Sequence, residues 1–360
     1  MGTTTARPRG RALLALAALL AGCGSLGPRS VARDRFDYGA AVAESWKQQT
    51  LLNVVKLRYL DMPVFLDVGQ VVSSYSLETG VSVSGQVAPV GRGDTFGGVG
   101  GSGIFTERPT ITYTPMTGDA FLRALISPIP VRSILYTLQS GYDANFILSW
   151  TVEALNGLQN RSTAPGMARP AEPRFVRALE LMHEVQTAGG ITLGVEVDEA
   201  AGETAVAVFR AESVPPATLA KSAELRRLLD LPADAHRFRV VAGPGRGRPG
   251  ELALQPRSLL QVMQAVASFV DVPPDHLARG WAVPAPAAGT VANPAFQVRI
   301  HGGAKAPAHA FAAIRHQDRW FWIDQADWRT KRTLGLVIML FTLTDSGAGR
   351  YLPVLTIPTS

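Results

Sequence analysis

Two segments poor in charge, residues 72–87 and 96–114, constrain the fold more than any other part of this chain. From 81 to 87, valine or glycine at odd positions alternates with serine or glutamine at even positions, the period of two of a strand with one apolar face. The second segment is rich in Gly, Ser and Thr, and residues 91–94 between the two are typical of a turn. The pattern therefore predicts a long hairpin.

The rest of the chain alternates between helical and strand patterns. Apolar residues recur at helical spacing in some segments, while others have strand periodicity, and consecutive strands occur without helices between them. This order predicts an α+β fold with helices packed on mainly antiparallel sheets. Helices are predicted near 39–60, after Thr117, and near 130–141, 143–158, 175–187, 219–231, 259–270 and 334–343. Strands are predicted near 191–198, 204–210, 237–242, 296–300 and 320–323.

Prolines and composition divide the chain into segments. Pro165, Pro170 and Pro173 lie among small and polar residues, which is typical of a break between domains. The predicted organisation is a signal peptide at 1–22, a flexible tether at 23–34, an N-terminal α+β region at 35–160, a Pro-rich linker at 161–173 and a C-terminal α+β domain at 174–360.

The first 22 residues have the three parts of an export signal: a basic segment, an apolar core at 12–21 and small residues before a cleavage point. The core is shorter than the about 20 residues that a membrane-spanning helix needs. The segment Leu20-Ala21-Gly22-Cys23, which begins at the end of this core, resembles the lipobox of bacterial lipoproteins. That resemblance implies cleavage before Cys23, a diacylglycerol thioether on its sulfur and acylation of the new amine. Gly24 stands where an inner-membrane retention signal would carry Asp, which favours the outer membrane.

Cysteine content and charge argue against thiol chemistry and against a nucleic-acid partner. Cys23 is the only cysteine, so a lipid on its sulfur leaves the mature chain with neither disulfides nor thiol chemistry. Removal of the signal leaves 32 basic and 29 acidic residues, a nearly balanced surface. No nucleic-acid partner is predicted, because such a partner requires a concentrated basic face.

Several segments together resemble a family of uncharacterised lipoproteins of Gram-negative bacteria. They are LLNVVKLRY at 51–59, ERPTITYTP at 107–115, ALNGL at 154–158, WFWID at 320–324 and PVLTIP at 353–358. The resemblance covers most of the mature chain and implies a cell-envelope location, but it brings no activity, ligand or catalytic residue.

One candidate ligand surface combines aromatic and acidic residues: Trp320, Trp322, Asp324, Asp327 and Trp328. Aromatic faces stack on the apolar faces of sugars, and carboxylates accept hydrogen bonds from sugar hydroxyls. The alternative is structural, with strand aromatics in a core and Asp324 or Asp327 capping the following helix. His183-Glu184 lacks the second histidine of a zinc-protease motif, and the His and Asp residues between 301 and 327 fit no ligand spacing. No catalytic residue, metal or cofactor is predicted.

The sequence predicts a lipid-anchored envelope protein, on the periplasmic face of the outer membrane, with a non-enzymatic scaffold, assembly or binding role. Its partners would be the membrane, through the anchor, and other envelope proteins. One alternative is an oligomeric export or secretion pore of several copies that inserts the 72–114 hairpin, which could instead be a periplasmic hairpin or mobile flap. Another is a protein that binds or acts on glycans or peptidoglycan.

Overall fold

A computed structural model describes residues 26–86, 96–163, 168–198, 202–212, 214–284 and 297–344. The chain forms two compact units, Met1–Gln48 and Gln49–Ser360. In these described ranges, nine helices and three mostly antiparallel sheets confirm the predicted α+β class. None of the helices in the same ranges is both long enough and apolar enough to cross a membrane.

The elements are named in chain order. The helices are α1 (Leu26–Arg58), α2 (Gly118–Ile126), α3 (Val131–Gln139), α4 (Ala144–Thr151), α5 (Pro173–Thr187), α6 (Pro216–Leu228), α7 (Leu259–Ala267), α8 (Pro274–Ala278) and α9 (Trp328–Thr344). The strands are β1 (Phe65–Gln86), β2 (Phe96–Met116), β3 (Val152–Leu155), β4 (Leu158–Gln159), β5 (Ile191–Asp198), β6 (Gly202–Phe209), β7 (Arg237–Ala242), β8 (Glu251–Pro256), β9 (His301–Gly303), β10 (Ala310–His316) and β11 (Arg319–Asp324).

Helix α1 begins well before the predicted start at Gly39. Residues 26–34, predicted as part of a flexible tether, are helical. Pro28 does not prevent this, because it is the third residue of the helix, where the missing N–H would lack an intrahelical partner in any case. The helix ends at Arg58, and Pro63 follows.

Strands β1 and β2 form a two-stranded antiparallel ribbon. Pairing runs from Phe65 opposite Met116 to Gln86 opposite Phe96, so strand pairing extends beyond the 72–114 segment at its Phe65–Met116 end. Strand β1, with 22 residues, is about 70 Å long at the usual rise per residue. At one end, Phe65 is 1% exposed and its ring lies 4.5 Å from that of Phe341 in α9.

The largest sheet has six strands in the order β4-β3-β8-β7-β6-β5, and only β7 and β8 pair in parallel. Strands β3 and β4 precede the predicted 161–173 linker, whereas β8 follows it. The segment therefore connects strands of one sheet within the unit Gln49–Ser360. Arg161 is 3% exposed, and Ser162 and Arg169 exchange backbone hydrogen bonds of 3.0 and 3.1 Å.

The helix predicted to run to about Leu158 is shorter in the structure, because a strand pair joined by a tight turn follows it. Helix α4 ends at Thr151, and β3 then turns into β4 through Asn156 and Gly157. Both turn residues have positive φ, 45° and 91°, as in the Asn-Gly turns that join antiparallel strands. A third sheet, in the order β10-β11-β9, leads directly into α9 and positions the candidate surface.

Candidate functional site

The candidate surface begins on β11, where side chains alternate between two faces. Phe321 and Ile323 are fully buried, while Trp320, Trp322 and Asp324 are partly exposed. The core beneath the small sheet is therefore filled by the phenylalanine and isoleucine. The two tryptophans of β11 lie partly exposed on the other face, so Phe321 is the aromatic residue of this strand that packs in a core, as the structural alternative described.

On that face, Trp322, Asp324 and His301 form a closed cluster. The Trp322 indole Nε1 donates a hydrogen bond to Oδ1 of Asp324 at 3.1 Å. The His301 ring stacks on Trp322 with centroids 5.4 Å apart, and its Nε2 lies 3.1 Å from Oδ2 of Asp324. Both carboxylate oxygens and one face of the indole are thus occupied from within the protein, which leaves this pair few groups for a sugar.

Asp327 serves the start of α9. Its Oδ1 accepts a hydrogen bond from the backbone N of Thr330 at 3.0 Å, and its Oδ2 accepts one from the Thr330 hydroxyl at 2.5 Å. The same hydroxyl accepts a hydrogen bond from the backbone N of Arg299 at 2.9 Å, which ties α9 to the chain just before β9. Asp327 is therefore the helix cap that one sequence interpretation described.

Trp328 belongs to a different place in the fold. Its side chain is 57% exposed and lines a cleft of about 220 Å³ between the starts of α4 and α9 and one side of α5. The lining residues are Asp143, Asn145, Phe146, His183, Trp328, Arg329 and Arg332. The sequence analysis missed this cleft because its members come from segments about 40 and 150 residues apart.

His183 and its neighbour Glu184 do not act together. Nδ1 of His183 lies 2.8 Å from Oδ1 of Asp143 in the cleft, whereas Glu184 forms an ion pair with Lys221 at 2.5 Å. Asp143 also caps α4, since its Oδ1 accepts a hydrogen bond from the backbone N of Asn145 at 2.8 Å. The carboxylate thereby fixes the imidazole ring at the cleft wall and leaves Nε2 as its second polar atom.

A second cluster that the sequence analysis missed is buried around Tyr59. Its hydroxyl lies 2.8 Å from Nδ1 of His276 in α8, and its ring contacts His316 of β10 edge to face at 5.0 Å. Burial, together with the Asp275 carboxylate, raises the pKa of Tyr59 to about 12. The protonated hydroxyl therefore joins the residue after α1 to α8, and the ring contact with His316 adds the sheet that carries the candidate surface.

Two of the histidines between 301 and 327 lie in different clusters. His301 contacts Asp324, whereas the His316 ring contacts the Tyr59 ring. In the part of the chain that the structure describes, no group of three or more His, Cys, Asp or Glu side chains is arranged to hold a metal ion. Leu20, Ala21, Gly22 and Cys23 lie outside the described residues. No protein-family model, no curated protein and no solved structure matches the chain.

Proposed function

We propose that the protein is a lipid-anchored component of the bacterial cell envelope, held by Cys23 on the periplasmic face of the outer membrane. The observation that carries the proposal is the single cysteine at the end of Leu20-Ala21-Gly22-Cys23, directly after a basic and apolar leader. Diacylation of the sulfur with acylation of the amine gives more than one chain, and stable anchoring needs more than one. The body would act as a scaffold, assembly or binding component.

The anchor is tested by labelling cells with a radioactive or clickable palmitate and fractionating their membranes. The native chain should be labelled and sediment with outer membranes, whereas Cys23→Ala should carry no label and keep its leader. Ser25→Ala, next to the cleavage region, is the matched control and should behave as the native chain. Gly24→Asp should shift the labelled protein to the inner membrane. An unlabelled native chain would contradict the anchor, and crosslinking before extraction identifies partners of the body.

A second candidate, an oligomeric export or secretion pore, is favoured by one observation, the β1–β2 ribbon. Cross-strand pairs alternate between its two faces, and the ribbon far exceeds the about ten residues per strand that cross a bilayer. In the sequence, valine and serine alternate over residues 81–84 of β1, the period of two of a strand with one apolar face. Such an alternation suits a ribbon with lipid on one side and water on the other.

Adjacent residues of β1 give a matched test of the pore. Val81 belongs to the apolar series of that alternation and Ser82 to the polar series, so a lysine at each position places the same charge in a different series. If several copies form a pore, the purified native chain should conduct ions in planar bilayers. Val81→Lys should abolish the conductance, since a lysine facing lipid costs about 2–4 kcal/mol at the midplane, and Ser82→Lys should retain it. Silent bilayers with the native chain, or equal loss in both variants, would reject the pore.

A further inference from the structure

The cleft between α4, α5 and α9 holds two guanidinium groups at one wall. Arg329 and Arg332 lie three residues apart at the start of α9, so both project from the same side of the helix. Within the described ranges, neither forms an ion pair with a carboxylate. The first turn of α9 contains no acidic residue beyond the cap Asp327, whose two oxygens accept hydrogen bonds from Thr330, and the positive end of a helix disfavours cations. This wall therefore has an excess of positive charge that an anion would relieve.

Each guanidinium rests on an aromatic ring of the cleft. Arg329 lies 4.5 Å from the ring centroid of Trp328, and Arg332 lies 3.8 Å from that of Phe146. A cation on a ring face is held by the π-electrons and keeps its N–H edge for other acceptors. Because that edge is planar and forked, it matches the oxygens of a carboxylate or phosphate.

The rest of the cleft offers different chemistry. His183, oriented by Asp143, provides Nε2 as a hydrogen-bonding atom, and the exposed Trp328 provides the ring face that Arg329 does not cover. The volume of about 220 Å³ is below the about 300–1,000 Å³ of pockets for drug-sized ligands. The cleft therefore suits a small ring that carries an acidic group and hydroxyls.

We infer that this cleft binds a single acidic sugar unit, with its carboxylate or phosphate on Arg329 and Arg332, its ring on Trp328 and a hydroxyl on His183. Each part of such a ligand has a partner of matching chemistry, whereas an inorganic anion would use only the arginines. The inference depends on the cleft alone, so its failure would leave the lipid anchor at Cys23 untouched.

The test is isothermal titration calorimetry with the full chain in mild detergent. The probes are glucuronic acid, N-acetylmuramic acid and glucose 6-phosphate, with N-acetylglucosamine as the neutral sugar and inorganic phosphate as the bare anion. At least one acidic sugar should bind at millimolar or lower concentration, and more tightly than both comparison compounds. Tighter binding of the two carboxylate sugars would assign a carboxylate, and tighter binding of glucose 6-phosphate a phosphate.

Substitutions locate the binding. Arg332→Gln and Trp328→Ala should each weaken it about tenfold or more, because each removes one set of ligand contacts. Arg279→Gln is the matched control, since Arg279 lies over the adjacent Trp281 ring at 4.9 Å in an equivalent pair outside the cleft. Thermal unfolding midpoints establish that the variants remain folded, with Arg329→Gln as the second cleft variant if Trp328→Ala unfolds.

Three outcomes would overturn the inference. The first is no binding of any acidic sugar at millimolar concentration. The second is binding of N-acetylglucosamine or inorganic phosphate as tight as that of the acidic sugars. The third is an equal loss of binding in Arg279→Gln and Arg332→Gln.

Discussion

The hydroxyl of Tyr59 and Nδ1 of His276 lie 2.8 Å apart in a buried hydrogen bond that joins residues 217 positions apart in the chain. Both side chains are almost inaccessible, at 7% and 3% exposure. The bond links the end of α1 to α8, and the nearby ring of His316 brings the third sheet into the same cluster.

Tyr59→Phe should lower the free energy of unfolding by about 1–2 kcal/mol, because it leaves a buried imidazole nitrogen without its partner. Urea denaturation followed by far-UV circular dichroism measures the change. Tyr113→Phe is the matched control, since the Tyr113 side chain is 56% exposed on the ribbon and should change stability little. Equal effects of the two substitutions would contradict the importance of the buried bond.

The stability should also fall at alkaline pH through the same hydroxyl. Because burial and the Asp275 carboxylate raise the pKa of Tyr59 from 10.0 to about 12, the folded chain retains the proton more firmly than the unfolded chain. This contribution is complete below pH 10 and is lost as the pH rises from 10 to about 12. Denaturation curves across this window should decline less steeply for Tyr59→Phe than for the native chain.

His316 should make the fold sensitive to mild acid. Burial lowers the pKa of its imidazole below 6.5, with smaller contributions from Lys56 and His276, and against the opposing effect of the Asp61 carboxylate. The folded state therefore favours the neutral ring. Its stabilising contribution is complete above pH 6.5 and is lost as the pH falls through the lowered pKa. His316→Asn should flatten this acid limb, and substitution of the exposed His236 by Asn should not.

Substitution of Asn156 should lower the stability in two ways, through lost side-chain hydrogen bonds and through strain at its positive φ. Its side chain donates a hydrogen bond to the carbonyl of Leu229 and accepts bonds from the backbone N atoms of Gly247 and Ala253. Asn156→Gly removes these bonds but tolerates the positive φ, whereas Asn156→Ala adds the strain of a left-handed conformation. The alanine variant should be less stable than the glycine variant by about 1–2 kcal/mol. The reverse order, measured by urea denaturation, would show that the turn conformation is not limiting.

Arg257, directly after β8, should be sensitive to substitution. It is 3% exposed and donates hydrogen bonds to Glu153 and to the carbonyls of Ser149, Trp150 and Arg161. Burial lowers its pKa, while the Glu153 carboxylate opposes that shift. Arg257→Met leaves these acceptors buried and should cost about 3–5 kcal/mol.

The control for the loss of an arginine charge is an exposed ion pair. Arg315 and Asp318 are 3.1 Å apart with side chains 62% and 93% exposed, so Arg315→Met should cost less than about 1 kcal/mol. Glu153→Gln should cost less in Arg257→Met than in the native chain, because Oε2 of Glu153 has then already lost Arg257 and only Arg169 remains, at 2.9 Å from Oε1. Strict additivity of the two changes would show that the pair does not interact.

Local patterns predicted the elements that depend on local chemistry. Alternation located β5, β6 and β7, and the helix predicted to begin at 143 begins just after Asp143, which caps it. Strand β10 was missed, because its residues Ala310 to His316 lack a clear apolar alternation and acquire strand geometry through pairing with β11. The helical state of residues 26–34 was missed because composition without periodicity suggested a tether.

The functional features needed tertiary structure. Trp322 and Asp324 were correctly grouped as neighbours, but their engagement by His301 depends on the pairing of β9 with β11. The cleft requires α4, α5 and α9 to meet, and no periodicity encodes that meeting. Trp328 and Trp322 are close in sequence, but the chain changes from β11 to α9 between them. Trp328 therefore lies on a different surface from Trp322.

The β1–β2 ribbon is unequal along its length. Near Phe65 it is fastened to α9, whereas toward Gln86 its pairs become small, with Gly85 opposite Gly97 and Ser84 opposite Gly98. Glycine loses more backbone entropy than other residues when it is ordered, and such pairs gain little from cross-strand contact. Amide hydrogen exchange in the isolated chain should therefore be fastest at the glycine end and slow progressively toward Phe65. Strand pairing should thus be lost first at the glycine end and last near Phe65.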